Sequence, residues 1–350
     1  MQLFRYVHQD QFFYNTWAVA RFEQQNHAFV NFETDYDQYR AVLKNIKIDI
    51  NHDYVTEYLR HLRKTKSHMR LFYSGGSDSH EILSAALKYN IFIDEIVIIT
   101  RNLYNKPELQ PCDQEITRIL PFVNSLTRNQ IGQVTFRNYD ADFMRAMYSQ
   151  PDWMFNMPGG EVGFRVLQQP GDDMGDPVTS DCQIVGVEKP DLLYYKGRWY
   201  ATTTNGSIHG RACLNSVCLF YMMPESIQSY IVRALKFKDW VLANKTIPAD
   251  FGLFPAASRY NPDVQIGKYR GNKFLNIKDT LALQEAMDHE DFDLLGKWYR
   301  SIDYLYSQFP NMKDSNTYQR LPVGKFLWFI DLETFEIFSQ QELIPNGFDL

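Results

Sequence analysis

The stretch from Met69 to Asn90, MRLFYSGGSDSHEILSAALKYN, constrains the fold of this chain more than any other part of its sequence. It opens with the short apolar run Met69–Tyr73, which is typical of a buried parallel strand. That run ends at Ser74-Gly75-Gly76-Ser77-Asp78-Ser79. Apolar residues then recur at helical spacing, at Ile82, Leu83, Ala86 and Leu87. The pattern predicts a strand, a glycine turn and a helix in immediate succession.

A turn of this kind directs backbone N–H groups and a helix N-terminus at one point, where a phosphate chain can bind. Its glycines let the backbone come close to a ligand because they carry no Cβ atom. The hydroxyls of Ser74, Ser77 and Ser79 are additional donors. Asp78 would repel phosphate unless a cation lies between them, so we expect Mg²⁺ here with Asp78 as one of its ligands.

The segment Ser74–Ser79 resembles the SGGxDS signature of the PP-loop ATP pyrophosphatases. This superfamily includes asparagine synthetase, GMP synthetase, argininosuccinate synthetase, queuosine-precursor synthases and tRNA-thiolating enzymes. The segment is not a Walker A loop, because the Gly-Lys-Ser/Thr ending is missing. The resemblance covers the first strand–helix unit and implies a doubly wound, mostly parallel α/β sheet of the HUP type that binds ATP through these six residues. The alternatives are a turn that binds nothing and a family member that has lost its chemistry.

Strand and helix patterns continue to alternate after this unit, which is typical of a doubly wound sheet. Further strands are predicted at 94–100, 133–137 and 182–186, and helices at 112–126 and 140–149. In the resembling family the end of the second strand holds the adenine. The resemblance therefore implies that Ile99 and Thr100 line the nucleotide pocket, although Thr100 could equally be an ordinary strand-end residue.

Charged residues follow the predicted strand at 182–186, where ligands bind in open α/β sheets. This segment is similar to the acidic G-x-G-x-D-E segment of asparagine-synthetase-like proteins, but it lacks the second glycine. The resemblance implies metal ligation by Glu188 or Asp191 and phosphate contact by Lys189, against a solvated turn as the alternative. In the resembling enzymes distant basic residues close over the pyrophosphate. Asp78, Lys189 and the more distant Lys268 and Arg270 are thus the candidate catalytic residues, although the last two could belong to a solvated basic loop.

The sequence predicts three regions. Residues 1–68 form an accessory region with a helix at 54–63 and two antiparallel strands, at 18–22 and 28–32, that are joined by a short loop. Residues 69–215 form the nucleotide-binding α/β domain, which includes an aromatic hairpin at 192–203 that is a candidate wall or lid of a substrate pocket. Residues 216–350 are mainly helical, with a helix at 225–244 and a terminal hairpin at 326–338.

Bulk properties narrow the class of protein. A chain of 350 residues with 45% hydrophobic residues can bury a full core, and its net charge of −6 argues against a dominant nucleic-acid surface. No signal pattern opens the sequence, and no apolar run approaches the roughly 20 residues needed to cross a bilayer. We therefore expect a cytoplasmic protein without membrane association. Its four cysteines form no C-x-x-C pair, which favours reduced structural thiols.

The resemblance implies that ATP is cleaved to AMP and pyrophosphate to activate a carbonyl or carboxylate oxygen for attack by a nitrogen nucleophile. The expected substrate is a small acid or amide. Gln2 stands where glutaminase-bearing relatives have a cysteine, so no glutaminase is inferred. The alternatives are a non-catalytic nucleotide-binding or interaction protein and a tRNA- or DNA-base-modifying enzyme that uses the aromatic hairpin and the basic segment 258–273. The sequence leaves open whether the chain forms a homo-oligomer.

Overall fold

A computed structural model of the chain describes residues 4–9, 11–13, 22, 26, 31–73, 75–100, 119, 122–127, 129–138, 182–186, 189–204, 217–254 and 326–344. The strands are β1 Phe4–His8, β2 Gln11–Phe13, β3 Asn31–Thr34, β4 Met69–Phe72, β5 Ile93–Thr100, β6 Ile131–Asn138, β7 Cys182–Val185, β8 Asp191–Tyr195, β9 Arg198–Thr204, β10 Val217–Leu219, β11 Phe251–Phe254, β12 Phe326–Asp331 and β13 Ile337–Phe338. The α-helices are α1 Tyr36–Leu43, α2 Tyr54–Thr65, α3 Ser77–Lys88, α4 Ile227–Asn244 and α5 Gln340–Leu343. A 3-10 turn at Pro224–Ser226 leads into α4.

Five parallel strands form the first sheet, in the order β10-β7-β4-β5-β6. The sequence of β5, IDEIVIIT, is rich in β-branched residues, and every residue of β4 is buried, as expected for strands covered on both faces. The predicted α/β class is therefore confirmed. The chain runs outward from β4 through β5 to β6, and the later strands β7 and β10 lie on the other side of β4. The strand order therefore reverses between β4 and β7, where ligands bind in open α/β sheets.

One face of this sheet packs against helices. Met69 and Leu71 of β4, Ile96 of β5 and Ile184 of β7 are fully buried and belong to one apolar cluster. The helices contribute side chains at i, i+3 and i+4 spacing to this cluster: Val55, Leu59 and Leu62 from α2, and Ile82, Leu83 and Ala86 from α3. Each large apolar side chain buried in this way stabilises the fold by about 1.5–3 kcal/mol. This packing holds α3 against the sheet and so determines where its N-terminus lies.

The second sheet is antiparallel, in the order β11-β8-β9-β12-β13. The predicted aromatic hairpin is β8 and β9, joined by Lys196 and Gly197, which both have positive φ as a tight two-residue turn requires. The predicted terminal hairpin is also confirmed, although its second strand is only Ile337–Phe338. Trp328 of β12 packs against Tyr39 and Tyr230, so the same core continues into this sheet.

Hydroxyl groups of buried tyrosines link separate elements of the fold. Tyr39 donates to the Met222 carbonyl at 2.5 Å, and Tyr230 donates to the Thr202 carbonyl at 2.6 Å. Because both tyrosines are fully buried, each hydroxyl needs a partner within the protein. These aromatic residues therefore pack in the core and join separate elements.

The accessory region differs from its prediction. Helix α2 is confirmed, with Asp53 as its N-cap. However, the small β layer contains β2-β1-β3, and β3 pairs with β1 at Phe4–Val7. The predicted strand at 18–22 is wrong at Phe22, which is helical, and its residues 18–21 lie outside the described ones. Apolar alternation in 28–32 indicates a strand but does not identify its partner, which here comes from the N-terminal Phe4–His8.

Strand β10 belongs to the parallel sheet, and β8 and β9 belong to the antiparallel sheet. The division of the chain at residue 215 stays a prediction. The predicted helix at 225–244 is confirmed as the 3-10 turn followed by α4. None of the described helices is long and apolar enough to cross a bilayer.

Candidate functional site

The bend after β4 lies at the reversal of strand order. The backbone N–H of Tyr73 donates to the Val97 carbonyl at 2.9 Å and so extends the pairing of β4 with β5 by one residue. Gly75 then adopts φ +67°, a conformation that L side chains rarely take. A Cβ atom at Gly75 would also lie 2.7 Å from Ile119. Both observations explain why glycine occupies this position.

The N-terminus of α3 opens directly from this bend. Gly76 is the N-cap residue and has no side chain that could cap the helix. The first turn therefore presents the positive end of the helix dipole at the carboxyl edge of the sheet. The end of the neighbouring strand comes equally close, because a Cβ atom at Gly186 would lie 2.9 Å from the Ser79 nitrogen. The ends of β4 and β7 thus meet at the first turn of α3.

Two basic side chains converge on Asp78 at this point. Arg233 Nη1 of α4 lies 2.8 Å from Asp78 Oδ1, and Lys189 Nζ lies 3.3 Å from Asp78 Oδ2. Lys189 follows β7 by four residues, so two distant segments bring their positive charges to the bend. The Asp78 and Lys189 side chains are only 18% and 22% exposed, and reduced solvent screening strengthens their attraction.

Arg233 is held by two further contacts. Its Nη2 pairs with Glu81 Oε2, and its guanidinium lies 3.6 Å from the centre of the Tyr221 ring. The Tyr221 hydroxyl lies 2.9 Å from the same Glu81 oxygen and 3.2 Å from the Asp78 carbonyl oxygen. Burial raises the pKa of Tyr221 well above its usual value, so the hydroxyl stays a donor. Burial alone would lower the pKa of Arg233, but Tyr221, Glu81 and Asp78 together raise it, so the guanidinium stays charged.

The described donors do not form a metal site of their own. Both carboxylate oxygens of Asp78 already face a protein cation, and Glu81 faces the same arginine. Within the described ranges, no group of three or more His, Cys, Asp or Glu side chains could hold a metal ion. Asp191, a predicted metal ligand, is the first residue of β8, whereas Glu188 lies outside the described residues. Metal ligation by these three acidic residues stays a prediction.

The predicted site residues fall into three groups. Gly75, Gly76, Asp78, Ser79 and Lys189 lie together at the bend, and Ile99 and Thr100 end β5 beyond Val97, at the same edge of the sheet. The Ser79 hydroxyl is turned inward and donates to the Gly76 carbonyl at 3.2 Å. The structure therefore supports a role for Ser79 in shaping the bend. Outside the described parts of the chain lie Ser74, Lys268 and Arg270, together with the side chains of Ser77, Ile99 and Thr100.

A second hydrogen-bonded group joins the end of β4 to the first turns of α3. The Tyr73 hydroxyl lies 3.0 Å from His80 Nδ1, and the Ser84 hydroxyl lies 3.1 Å from His80 Nε2. Burial raises the pKa of Tyr73 to about 12 and lowers the pKa of His80. A neutral imidazole fits this arrangement, because one ring nitrogen donates while the other accepts. Tyr73, which precedes the two glycines, is therefore joined to His80, which follows them, and the bend between them is held at both ends.

Sequence reasoning missed Glu81, Tyr221 and Arg233. Arg233 and Asp78 are separated by 155 residues, and the sequence predicts α4 only as a helix, with no site residue on it. One signal was present, because Arg233 follows Tyr230 by three residues and precedes Phe237 by four, on the apolar face of α4. A single arginine within a buried stripe indicates an anionic partner, because a buried charge needs one.

Neither the family models nor the curated proteins with which the sequence was compared match this chain.

Proposed function

We propose that this chain is an ATP-dependent adenylating enzyme with a HUP-type, PP-loop nucleotide-binding domain. The proposal depends chiefly on one observation: the glycine bend, the N-terminus of α3 and two basic side chains lie together where the strand order reverses. Phosphate groups bind at such helix N-termini, and ligands of open α/β sheets bind at this edge. The resemblance of Ser74–Ser79 to the SGGxDS signature selects ATP as the ligand.

In this proposal the bend receives the β and γ phosphates of ATP. Backbone N–H groups of Gly76–Ser79 face the phosphate oxygens, and Lys189 and Arg233 supply positive charge. The nucleoside extends toward the end of β5, where Ile99 and Thr100 close the adenine pocket. The α phosphorus then lies between the bend and the opening of the site, where a second substrate approaches.

The proposed reaction breaks the bond between the α phosphorus and the bridging oxygen of ATP. A carbonyl or carboxylate oxygen of a small acid or amide attacks the α phosphorus, and pyrophosphate leaves with the bond's electron pair. Lys189 and Arg233 stabilise the charge that develops on this leaving group. A nitrogen nucleophile then displaces AMP from the activated carbon and loses a proton, which gives an amide from an acid or an amidine from an amide. A nitrile forms instead when an adenylated amide loses its nitrogen protons and expels AMP. In each case AMP and pyrophosphate are the other products. Lys268 and Arg270 stay candidates for closing over the pyrophosphate.

The test uses ATP labelled at the α phosphate, with Mg²⁺, ammonium and a panel of carboxylic acids and amides. We expect labelled AMP to form with at least one substrate. The rate should fall by about 10²–10³ in Asp78→Ala, because the basic side chains at the bend lose the group that positions them. Asp37→Ala is the matched control, since Asp37 is a largely exposed residue of α1.

The remaining outcomes distinguish the alternatives. Release of ADP would contradict adenylation, and an unchanged rate in Asp78→Ala would place the chemistry elsewhere. ATP binding without AMP formation on any substrate would favour a non-catalytic nucleotide-binding protein. AMP formation only with tRNA or DNA, together with salt-dependent retention of the nucleic acid, would favour a base-modifying enzyme.

A further inference from the structure

Among the described residues, the charges of the ion pairs around the bend balance without a metal ion. Asp78 and Glu81 contribute two negative charges, and Lys189 and Arg233 contribute two positive charges within one connected set of ion pairs. An unpaired aspartate in a phosphate-binding turn would repel the ligand, and a divalent cation is the usual remedy. Here the counter-charge comes from α4 and from the segment after β7.

The geometry of Arg233 suits a contact shared between Asp78 and a phosphate. Its Nη2 pairs with Glu81 and its Cζ lies 3.6 Å from the centre of the Tyr221 ring, whereas its Nη1 lies 2.8 Å from Asp78 Oδ1. The contacts with Glu81 and Tyr221 hold the guanidinium in place. Because Nη1 carries two N–H donors, it can donate to a phosphate oxygen without giving up the Asp78 carboxylate. A guanidinium presents its N–H donors in a rigid fork that fits carboxylate and phosphate alike.

We infer that Lys189 and Arg233 supply the counter-charge for a nucleotide polyphosphate at this bend, so that the chain binds ATP without a divalent metal ion. This inference rests on the proposed function, because it assumes that the bend is an ATP site. Lys189 and Arg233 contact the β and γ phosphates, and Glu81 and Tyr221 are positioning residues that orient Arg233. Any metal requirement of the chemistry then belongs to a later step than binding.

The experiment is a calorimetric titration of ATP into the full-length chain, once in EDTA and once in excess Mg²⁺. We expect the wild-type dissociation constants in the two buffers to agree within about threefold. In Arg233→Gln the constant in EDTA should rise by at least about tenfold. Excess Mg²⁺ should restore much of that loss, because the Asp78 carboxylate released from Arg233 becomes available to a cation. A purely structural role for Arg233 would not create such a metal dependence.

Two further variants complete the experiment. Lys236→Gln changes an exposed residue three positions along α4 and should bind ATP as the wild type does in both buffers. Lys189→Gln should behave like Arg233→Gln, and it replaces that variant if Arg233→Gln fails to fold. The affinity for AMP, which lacks the β and γ phosphates, should differ between wild type and Arg233→Gln far less than the affinity for ATP.

Each alternative outcome decides a specific point. ATP binding by the wild type only in Mg²⁺ would overturn this inference and leave the proposed function intact. Binding in neither buffer would overturn both. Unchanged affinity of Arg233→Gln in EDTA, or a loss that Mg²⁺ does not restore in either variant, would show that these side chains do not supply the counter-charge.

Discussion

Replacing Gly186 with alanine should damage the site through a single added methyl group. The new Cβ atom would lie 2.9 Å from the Ser79 nitrogen and 3.1 Å from the Asp78 carbonyl carbon. Non-bonded heavy atoms pack best at about 3.5–4.0 Å, so the first turn of α3 would have to retreat by about 0.6 Å or more. Both neighbours are backbone atoms, and no rotation of a side chain can relieve the overlap.

This displacement has two measurable consequences. Overpacking of this kind costs about 1–3 kcal/mol of the free energy of unfolding. The backbone that moves is also the part of α3 that faces the phosphates in our proposal. A misplacement of about 1 Å at a reaction site can lower the catalytic rate by about 10²-fold. We therefore expect Gly186→Ala to weaken ATP binding by about tenfold or more while the chain still folds.

Urea unfolding followed by tryptophan fluorescence measures the first effect, and calorimetric titration with ATP measures the second. Gly197→Asn is the matched control, because a Cβ atom at Gly197 would meet nothing within 4 Å and asparagine tolerates its φ of +81°. The control should retain wild-type ATP affinity. The close contact between β7 and α3 is refuted if the free energy of unfolding of Gly186→Ala lies within about 0.5 kcal/mol of the wild-type value and the variant binds ATP equally well.

Three further predictions concern stability. Arg70 and Glu95 form an ion pair at 2.5 Å, and both side chains are 3% exposed. Arg70→Met should therefore lower the free energy of unfolding in urea by about 3–5 kcal/mol, because it leaves the Glu95 charge buried and unpaired. The double variant Arg70→Met with Glu95→Leu should lose less than the single variant. Asp53 accepts from the Thr56 backbone N–H at 3.0 Å as the N-cap of α2, so Asp53→Ala should cost about 1 kcal/mol. Burial lowers the pKa of His80, so the unfolded chain binds the proton more readily. Above the ordinary pKa of about 6.5 the imidazole is neutral in both states and the free energy of unfolding is not reduced. As pH falls below that value, protonation of the unfolded chain lowers the free energy of unfolding. His80→Gln should therefore flatten the pH dependence of the unfolding midpoint between about pH 7.5 and 5.

Each of these predictions has a clear contradiction. Equal or greater destabilisation of the Arg70 and Glu95 double variant would mean that the cost of Arg70→Met does not come from leaving the Glu95 charge unpaired. Asp53→Asn keeps a capping oxygen and should be milder than Asp53→Ala; a cost as large would point to the charge instead of the cap. An unchanged pH dependence in His80→Gln would show that the imidazole titrates normally in the folded chain.

Local signals in the sequence predicted the parts of the fold that local forces determine. The run Met69–Tyr73 and the helical pattern after Ser77 predicted β4 and α3, because a buried strand and an amphipathic helix have different periods. The β-branched run at 94–100 predicted β5 in the same way. Partner choice was not predictable to the same extent. The run Ala28–Phe32 gave no sign that β3 pairs with the N-terminal Phe4–His8, because alternation indicates a buried face and not a neighbour.

The site shows the same division. Gly75 and Gly76 are recognisable because a tight turn restricts which residues fit, and Lys189 is recognisable by its place after a predicted strand. Arg233 reaches Asp78 only through the tertiary packing of α4, which no window of sequence contains. The expectation of a metal ion at Asp78 rests on the charge of this residue within a phosphate-binding turn. A local stretch of sequence does not show the two protein cations that lie opposite that charge.

A crystal structure of the chain with a non-hydrolysable ATP analogue would be the most direct measurement. We expect the β and γ phosphates to lie against Gly75–Asp78, between the ends of β4 and β7, with Lys189 and Arg233 in contact with their oxygens. An analogue bound at another part of the chain, or phosphates kept away from this bend by an intact Asp78–Arg233 pair, would contradict the nucleotide site on which the proposed function depends.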